Sequence, residues 1–288
     1  MKVALGTAQF GTDYGISNSS GLVPKKEVGE ILKFSLSSNI NTIDTAIAYG
    51  KAQRVLGSND LSKFKIISKV PKFDNTSEPS KYIIDCCERS LNELNVSKLH
   101  CLMFHSVDDL LGSNSNKFID QIDFLKSQGI ISNAGFSIYG PEEVDRIKEL
   151  TKFDIVQVPF NIFDQRLKKL GTLEELKKEN IEVHARSIFL QGLLLIDLNS
   201  IPSKFLEWKK ALKNWEDFNI RNNTKKIESA IHFVKNHKLI DKLIFGVESL
   251  LQLQEIVDIY NKQMYLSFEE DLSVDDEILL NPSKWPNL

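Results

Sequence analysis

From Val3 onward, short runs of β-branched and apolar residues alternate with longer stretches whose apolar positions recur at helical spacing, almost to the C-terminus. A short apolar run suits a strand covered on both faces, as in a parallel sheet, and a stretch with three- and four-residue spacing suits a helix laid across it. The pattern predicts strands near 3–7, 40–44, 65–70, 99–104, 131–136, 154–158, 181–186 and 241–246. It predicts helices near 25–38, 51–57, 79–94, 116–128, 141–150, 166–179, 225–237 and 249–259. Pro24 and Pro141 open helices, Gly129 closes one, and Gly171 is a weak point inside the sixth. Eight strand–helix units in 288 residues imply one α/β domain, residues 1–288, closed as a (β/α)8 TIM barrel.

Two stretches exceed what the barrel needs. The insertion 188–224 after strand 7 carries its own helical pattern in "SKFLEWKKALKNWEDF", and so long a connection on a barrel reads as a lid or wall of the site. The tail 260–288, with a short helix expected at "SVDDEILL", lies over the barrel in this reading. Trp208, Trp215 and Trp285 fall in these two stretches, with packing the ordinary role and a pocket wall the functional one. The chain is 42% hydrophobic and 26% charged, and no apolar run reaches the roughly 18–20 residues that span a bilayer. A net charge of -3 with interspersed signs gives no basic field for nucleic acid. "MKVALGTAQFG" lacks the apolar core of a secretory signal, so the expected location is cytoplasmic. Cys86, Cys87 and Cys101 read as reduced structural thiols, and no histidine stands at metal-ligand spacing to a carboxylate pair, so no metal is expected.

Barrel enzymes keep their chemistry at the C-terminal ends of the strands. That filter selects Asp44, Tyr49 on the loop behind it, Lys69 and His105, then Ser137, Gln157, Asn161, Arg186, Ser187 and Gly246. Asp, Tyr, Lys and His at successive strand ends suggest acid catalysis by a phenol. An unperturbed phenol, with a pKa near 10, is a poor acid at neutral pH unless a nearby cation favours the phenolate. Lys69 is the candidate cation, Asp44 its anchor, and His105 the group that orients a carbonyl or alcohol. Tyr49 would then protonate a carbonyl oxygen while a cofactor delivers hydride, which no side chain can supply.

The motifs "LGTAQFG", "IDTAIAYG", "KIISKV", "LHCLMFHSVD", "GFSIYG", "VQVPFN", "ARSIFLQGLL" and "FGVESLLQLQEI" occur in that order, and through them the chain resembles the aldo-keto reductases over nearly its whole length. The resemblance puts the family's catalytic tetrad on Asp44, Tyr49, Lys69 and His105. It implies NADPH or NADH as cofactor and a small-molecule aldehyde or ketone as substrate. Ser137 and Gln157 would hold the nicotinamide carboxamide, with Arg186 where many relatives stack a tyrosine on the ring. Ser187, Gln191 and Gly192 would approach the pyrophosphate. Gly246, Glu248, Ser249, Gln252 and Glu255 would surround the adenosine end, with amides at the start of the last helix available for phosphate.

Departures from the family pattern carry their own expectations. Strand 1 starts almost at Met1, so the β-hairpin plug that closes the barrel in many relatives should be absent. Ile138 replaces an asparagine that often assists the carboxamide. Gln252 stands where relatives that prefer NADPH place an arginine, and Glu248 would repel a 2′-phosphate, which tilts the reading toward NADH or dual use. The motif mixture is similar to a bacterial branch associated with surface-polysaccharide and amino-sugar pathways, which suggests a sugar-related carbonyl. An NAD(P)-sensing regulatory barrel with little catalysis stays open as an alternative; a Schiff-base enzyme using Lys69 fits a strand-end lysine but does not explain why Tyr49, Asp44 and the late "FGVES" segment accompany it.

Overall fold

A computed structural model describes residues 1–16, 18, 21–268 and 271–287, with side chains to Trp285. Eight parallel strands close into a barrel in sequence order: β1 (Val3–Gly6), β2 (Thr42–Asp44), β3 (Lys65–Val70), β4 (Leu99–Phe104), β5 (Ile131–Ser137), β6 (Ile155–Pro159), β7 (Glu182–Arg186) and β8 (Lys242–Gly246). Closure is direct, with Val3 opposite Leu243 and Gly6 opposite both Asp44 and Gly246. The strands are buried along almost their whole length, as sheets covered on both faces must be. Ile67, Cys101, Met103 and Ile155 fill the barrel interior as a separate small cluster, while the larger core lies between sheet and helices.

The outer layer comprises α1 (Lys25–Ser37), α2 (Ala52–Gly57), α3 (Tyr82–Leu94), α4 (Ser115–Ser127), α5 (Glu142–Lys148), α6 (Arg166–Lys169), α7 (Thr172–Lys178), α8 (Lys209–Arg221), α9 (Lys226–Lys235), α10 (Leu250–Asn261) and α11 (Glu277–Leu280). α1 shows the logic, burying Val28, Ile31, Leu32 and Ser35 on one stripe. The sixth predicted helix is two, because Gly171 adopts φ 75° and interrupts it. The third starts at Tyr82, later than its periodicity suggests. There the Gln121 amide of α4 accepts from Ile83 N at 3.0 Å and donates to Pro79 O at 2.7 Å, so a tertiary contact sets the boundary.

Between β7 and α9 the chain forms 3-10 turns over Leu190–Leu195, Leu198–Ser200 and Ser203–Trp208 before α8. Its tryptophans are packing residues. Trp215 is 1% exposed, stacks on Phe218 and donates Nε1–H to Leu194 O at 2.9 Å. Trp208 donates to Asp276 Oδ2, and Trp285 packs edge-on against Phe205, tying the insertion to the tail and α11. No described helix is long and apolar enough to cross a membrane.

Candidate active site

Asp44 ends β2, where its backbone carbonyl accepts from Thr7 N at 3.1 Å and Thr7 Oγ1 at 2.9 Å. Its carboxylate is 3% exposed and takes Lys69 Nζ, from β3, on Oδ1 at 2.6 Å. The other oxygen, Oδ2, accepts from Gln157 Nε2 of β6. Lys69 is 1% exposed and also donates to Thr45 O at 3.2 Å, so both charges are desolvated together and satisfied together.

Tyr49 follows on the small-residue turn, with Ile47 N bonded to Lys69 O and Tyr49 N to Ala46 O. The turn is braced by a backbone crossing that only glycine permits. A Cβ on Gly11 would stand 1.9 Å from Tyr49 O and 2.2 Å from Ala52 N. Gly50, at φ 57°, packs against the Gly11 carbonyl. The phenol ring so placed lies 5.2 Å from Lys69 Nζ and meets the His105 ring edge-on, centroids 5.8 Å apart. His105 is fixed at the end of β4 by its N–H to Val70 O.

Burial, reinforced by Lys69 and Arg186, lowers the His105 pKa from 6.5 to about 4, so the imidazole is neutral at physiological pH. Burial first, then Asp44, pushes Tyr49 well above the ordinary phenol value. Burial pulls Lys69 down while Asp44 opposes it. The sequence reading made Lys69 the cation that acidifies Tyr49. Its ammonium lies 5.2 Å from the Tyr49 ring, anchored by Asp44 and Thr45 O, and Arg186 adds a second positive charge that pulls Tyr49 toward the phenolate.

Arg186, at the end of β7, spreads its guanidinium across the ends of β5 and β7. Nε donates to Ser137 Oγ at 3.1 Å, Nη1 to Ser187 Oγ at 3.2 Å and Nη2 to Ile138 O at 2.7 Å. Its Cζ lies 4.4 Å from the centroid of the Tyr139 ring. Tyr14 reaches the same region from the loop after β1. Although 41% of the residue is exposed, its hydroxyl bonds Gln191, and burial among Tyr49 and Tyr139 pushes its pKa up to about 12. Tyr14 and Tyr139 escaped the sequence reading. Tyr139 stands just beyond Ser137, where a wider strand-end filter would have caught it; Tyr14 lies too far past β1 for any local signal.

Beyond β7 the backbone takes left-handed turns at Ser187 (φ 57°), Leu190 (φ 48°), Gln191 (φ 53°) and Gly192 (φ 97°). Gln191 O accepts from Ile16 N at 3.1 Å, joining this turn to the first loop. At β8 the exposed Gly246 packs closely on the Gln9 side chain, which would meet a Cβ there at 2.6 Å. Ser249 caps α10, accepting from Gln252 N, and Gln252 Oε1 accepts from Glu248 N at 2.7 Å. Glu255 is exposed on α10. The expected supply of free amides needs correction. Leu250 N already donates to Glu27 Oε1, from α1, at 3.0 Å, because helix packing brings that carboxylate to the positive end of α10. Asn161, selected with the site, is structural: Nδ2 donates to Ser187 O, and Oδ1 accepts from Phe163 N and Asp164 N.

The residues fit a nicotinamide cofactor on an observation independent of motif. Gln157 is 1% exposed, and with Nε2 spent on Asp44 its Oε1 is a buried acceptor without a partner. An unfilled acceptor beside the Ser137 hydroxyl suits the N–H donors of a carboxamide. Gln9 Oε1, beside Gly246, is buried and equally unpartnered.

Solved structures share this fold. The structure matches that of a Pseudomonas aeruginosa protein assigned to the aldo-keto reductases, at 21% identity over 90% of this chain and 89% of that one, TM-score 0.67. It also matches the holo form of aldo-keto reductase AKR11C1 from Bacillus halodurans, at 18% identity over 92% of this chain and 88% of that one, TM-score 0.74. No curated protein matches the sequence. The family model, by contrast, spans the whole barrel: residues 2–270 match the aldo/keto reductase family, and the chain belongs to it.

Proposed function

We propose that this protein is an NAD(P)H-dependent carbonyl reductase in which Tyr49 is the proton donor. The observation that carries the reading is the buried Asp44–Lys69 pair, with Tyr49 and a neutral His105 gathered at the ends of adjacent strands. The nicotinamide cofactor, when bound, supplies hydride to the carbonyl carbon. His105, uncharged above about pH 4, donates a hydrogen bond to the carbonyl oxygen and fixes its position. Tyr49 passes its phenolic proton to that oxygen as the carbonyl π pair becomes the O–H bond, and the phenolate recovers a proton from solvent. Arg186 and the Lys69 ammonium stabilise the transient phenolate, while Asp44 keeps Lys69 charged despite its burial. The same groups run the reverse oxidation.

Ser137 and Gln157 would hold the carboxamide, and the left-handed turn at Ser187–Gly192 would present backbone amides to the pyrophosphate. Non-glycine residues in that conformation cost roughly 1–3 kcal/mol each and concentrate at ligand clamps. At the adenosine end, Glu27 on the α10 amide and the half-buried Glu248, with Asp13 near it, leave a negative environment that opposes a 2′-phosphate. We therefore favour NADH. The hydroxyls of Tyr14 and Tyr139 suit a polar, hydroxylated carbonyl compound such as a sugar derivative.

A Schiff-base role for Lys69 is opposed by its bonds to Asp44 and Thr45, which hold the nitrogen away from a carbonyl carbon. Tyr49→Phe should lower turnover by about 100-fold or more, the range for general acid catalysis, with cofactor affinity retained. The measurement is carbonyl-dependent NADH oxidation across an aldehyde panel, beside fluorescence titration of NADH. Undiminished turnover in the variant sinks the assignment.

A further inference from the structure

The charge of Arg186 is the feature the reductase mechanism leaves unbalanced. Every group that its N–H donors meet is neutral, namely the hydroxyls of Ser137 and Ser187 and the carbonyl of Ile138, and beneath it lies the uncharged ring of Tyr139. Asp44, the carboxylate of the catalytic cluster, is spent on Lys69 and Gln157. Arg186 makes no ion pair among the described residues, and a guanidinium does not shed its proton. The site therefore carries one uncompensated positive charge beside the tetrad.

We infer that Arg186 makes this site discriminate by the charge of the nicotinamide, holding the reduced, uncharged ring in preference to the oxidised pyridinium. The inference rests on the reductase reading above. Arg186 Nε bonds the Ser137 hydroxyl itself, so a ring whose carboxamide is held by Ser137 and Gln157 falls within reach of the guanidinium. A ring that delivers hydride next to Tyr49 must also share the space in which Arg186 already acts on the phenol. A fixed cation there leaves a neutral ring unharmed and repels a cationic one, more strongly than in water because the site is largely desolvated. An aromatic side chain in its place would instead favour the cationic ring, whose charge is attracted to the negative face of the π system. The consequence is weak retention of oxidised cofactor, which favours its release after each reduction.

Dissociation constants of NADH and NAD+ for the full chain, by fluorescence and calorimetric titration, test this. Arg186→Gln and Arg186→Met should each lower the ratio Kd(NAD+)/Kd(NADH) about tenfold, or about 1.4 kcal/mol, and Arg186→Lys should keep it near the unsubstituted value. Two neutral variants guard against one that fails to fold. A ratio unmoved in a folded neutral variant, with both ligands still bound, overturns the inference and spares the reductase reading. Failure of the unsubstituted chain to bind NADH, NAD+, NADPH or NADP+ overturns both.

Discussion

Burial and the two cations Lys69 and Arg186 keep His105 uncharged, and this has a consequence for stability as well as chemistry. Its folded-state pKa of about 4 lies below the ordinary 6.5 of an unfolded chain. Between those values the unfolded state takes up a proton that the native state refuses, so stability falls as pH drops through the window and levels off below it. His105→Gln removes that contribution. Melting temperatures from pH 7 to 4 should decline less steeply in the variant, although His100, His232 and His237, also lowered by burial, keep part of the slope. Identical slopes would show that His105 titrates normally. The type of residue at each strand end was legible, because burial of the preceding run and a polar terminus are both local. The pairing of Lys69 with Asp44 was legible too, but the further partners were not: that Gln157 takes the other Asp44 oxygen and that Arg186 adds a second cation near Tyr49 follow from contacts no spacing encodes.

At the scale of elements, the apolar stripes placed all eight strands and most helices, since a strand or helix in a layered barrel must bury a set pattern of its own positions. What they do not determine is which polar group of one element meets the end of another. Glu27 reads as a solvated first-turn acid of α1. Packing of α1 against α10 makes it the cap of a helix 223 positions away in the chain. Glu27→Gln removes a negative charge from the helix N-terminus while leaving an acceptor for Leu250 N. Affinity for NADPH relative to NADH should rise about fivefold, roughly the 1 kcal/mol worth of a charge at such a terminus. Parallel titrations with both nucleotides measure this, and an unmoved ratio removes Glu27 from the account of cofactor choice.

For the whole molecule, the insertion after β7 and the tail meet in two aromatic clusters, Phe205 with Trp208 and Trp285, and Trp215 with Phe218 and Phe268. Trp215 anchors the second cluster to Leu194, next to the strained turn at Gln191 and Gly192. Trp215→Ala should cost about 3–5 kcal/mol of stability, the range for deleting a large buried aromatic. A loss under about 1 kcal/mol in urea unfolding would mean the insertion is docked independently of it.

The sequence by itself determined the barrel, the order of its units and the residue types at the C-terminal ends of the strands, because each depends on burial patterns repeated within a few residues. Only the tertiary structure decided the balance of charge at the site. Lys69 is neutralised by Asp44, Arg186 lies over Tyr139 with no ion pair among the described residues, and Glu27 occupies the end of α10. Electrostatic energy depends on distances and burial between groups far apart in the chain, and those exist only once the barrel has closed.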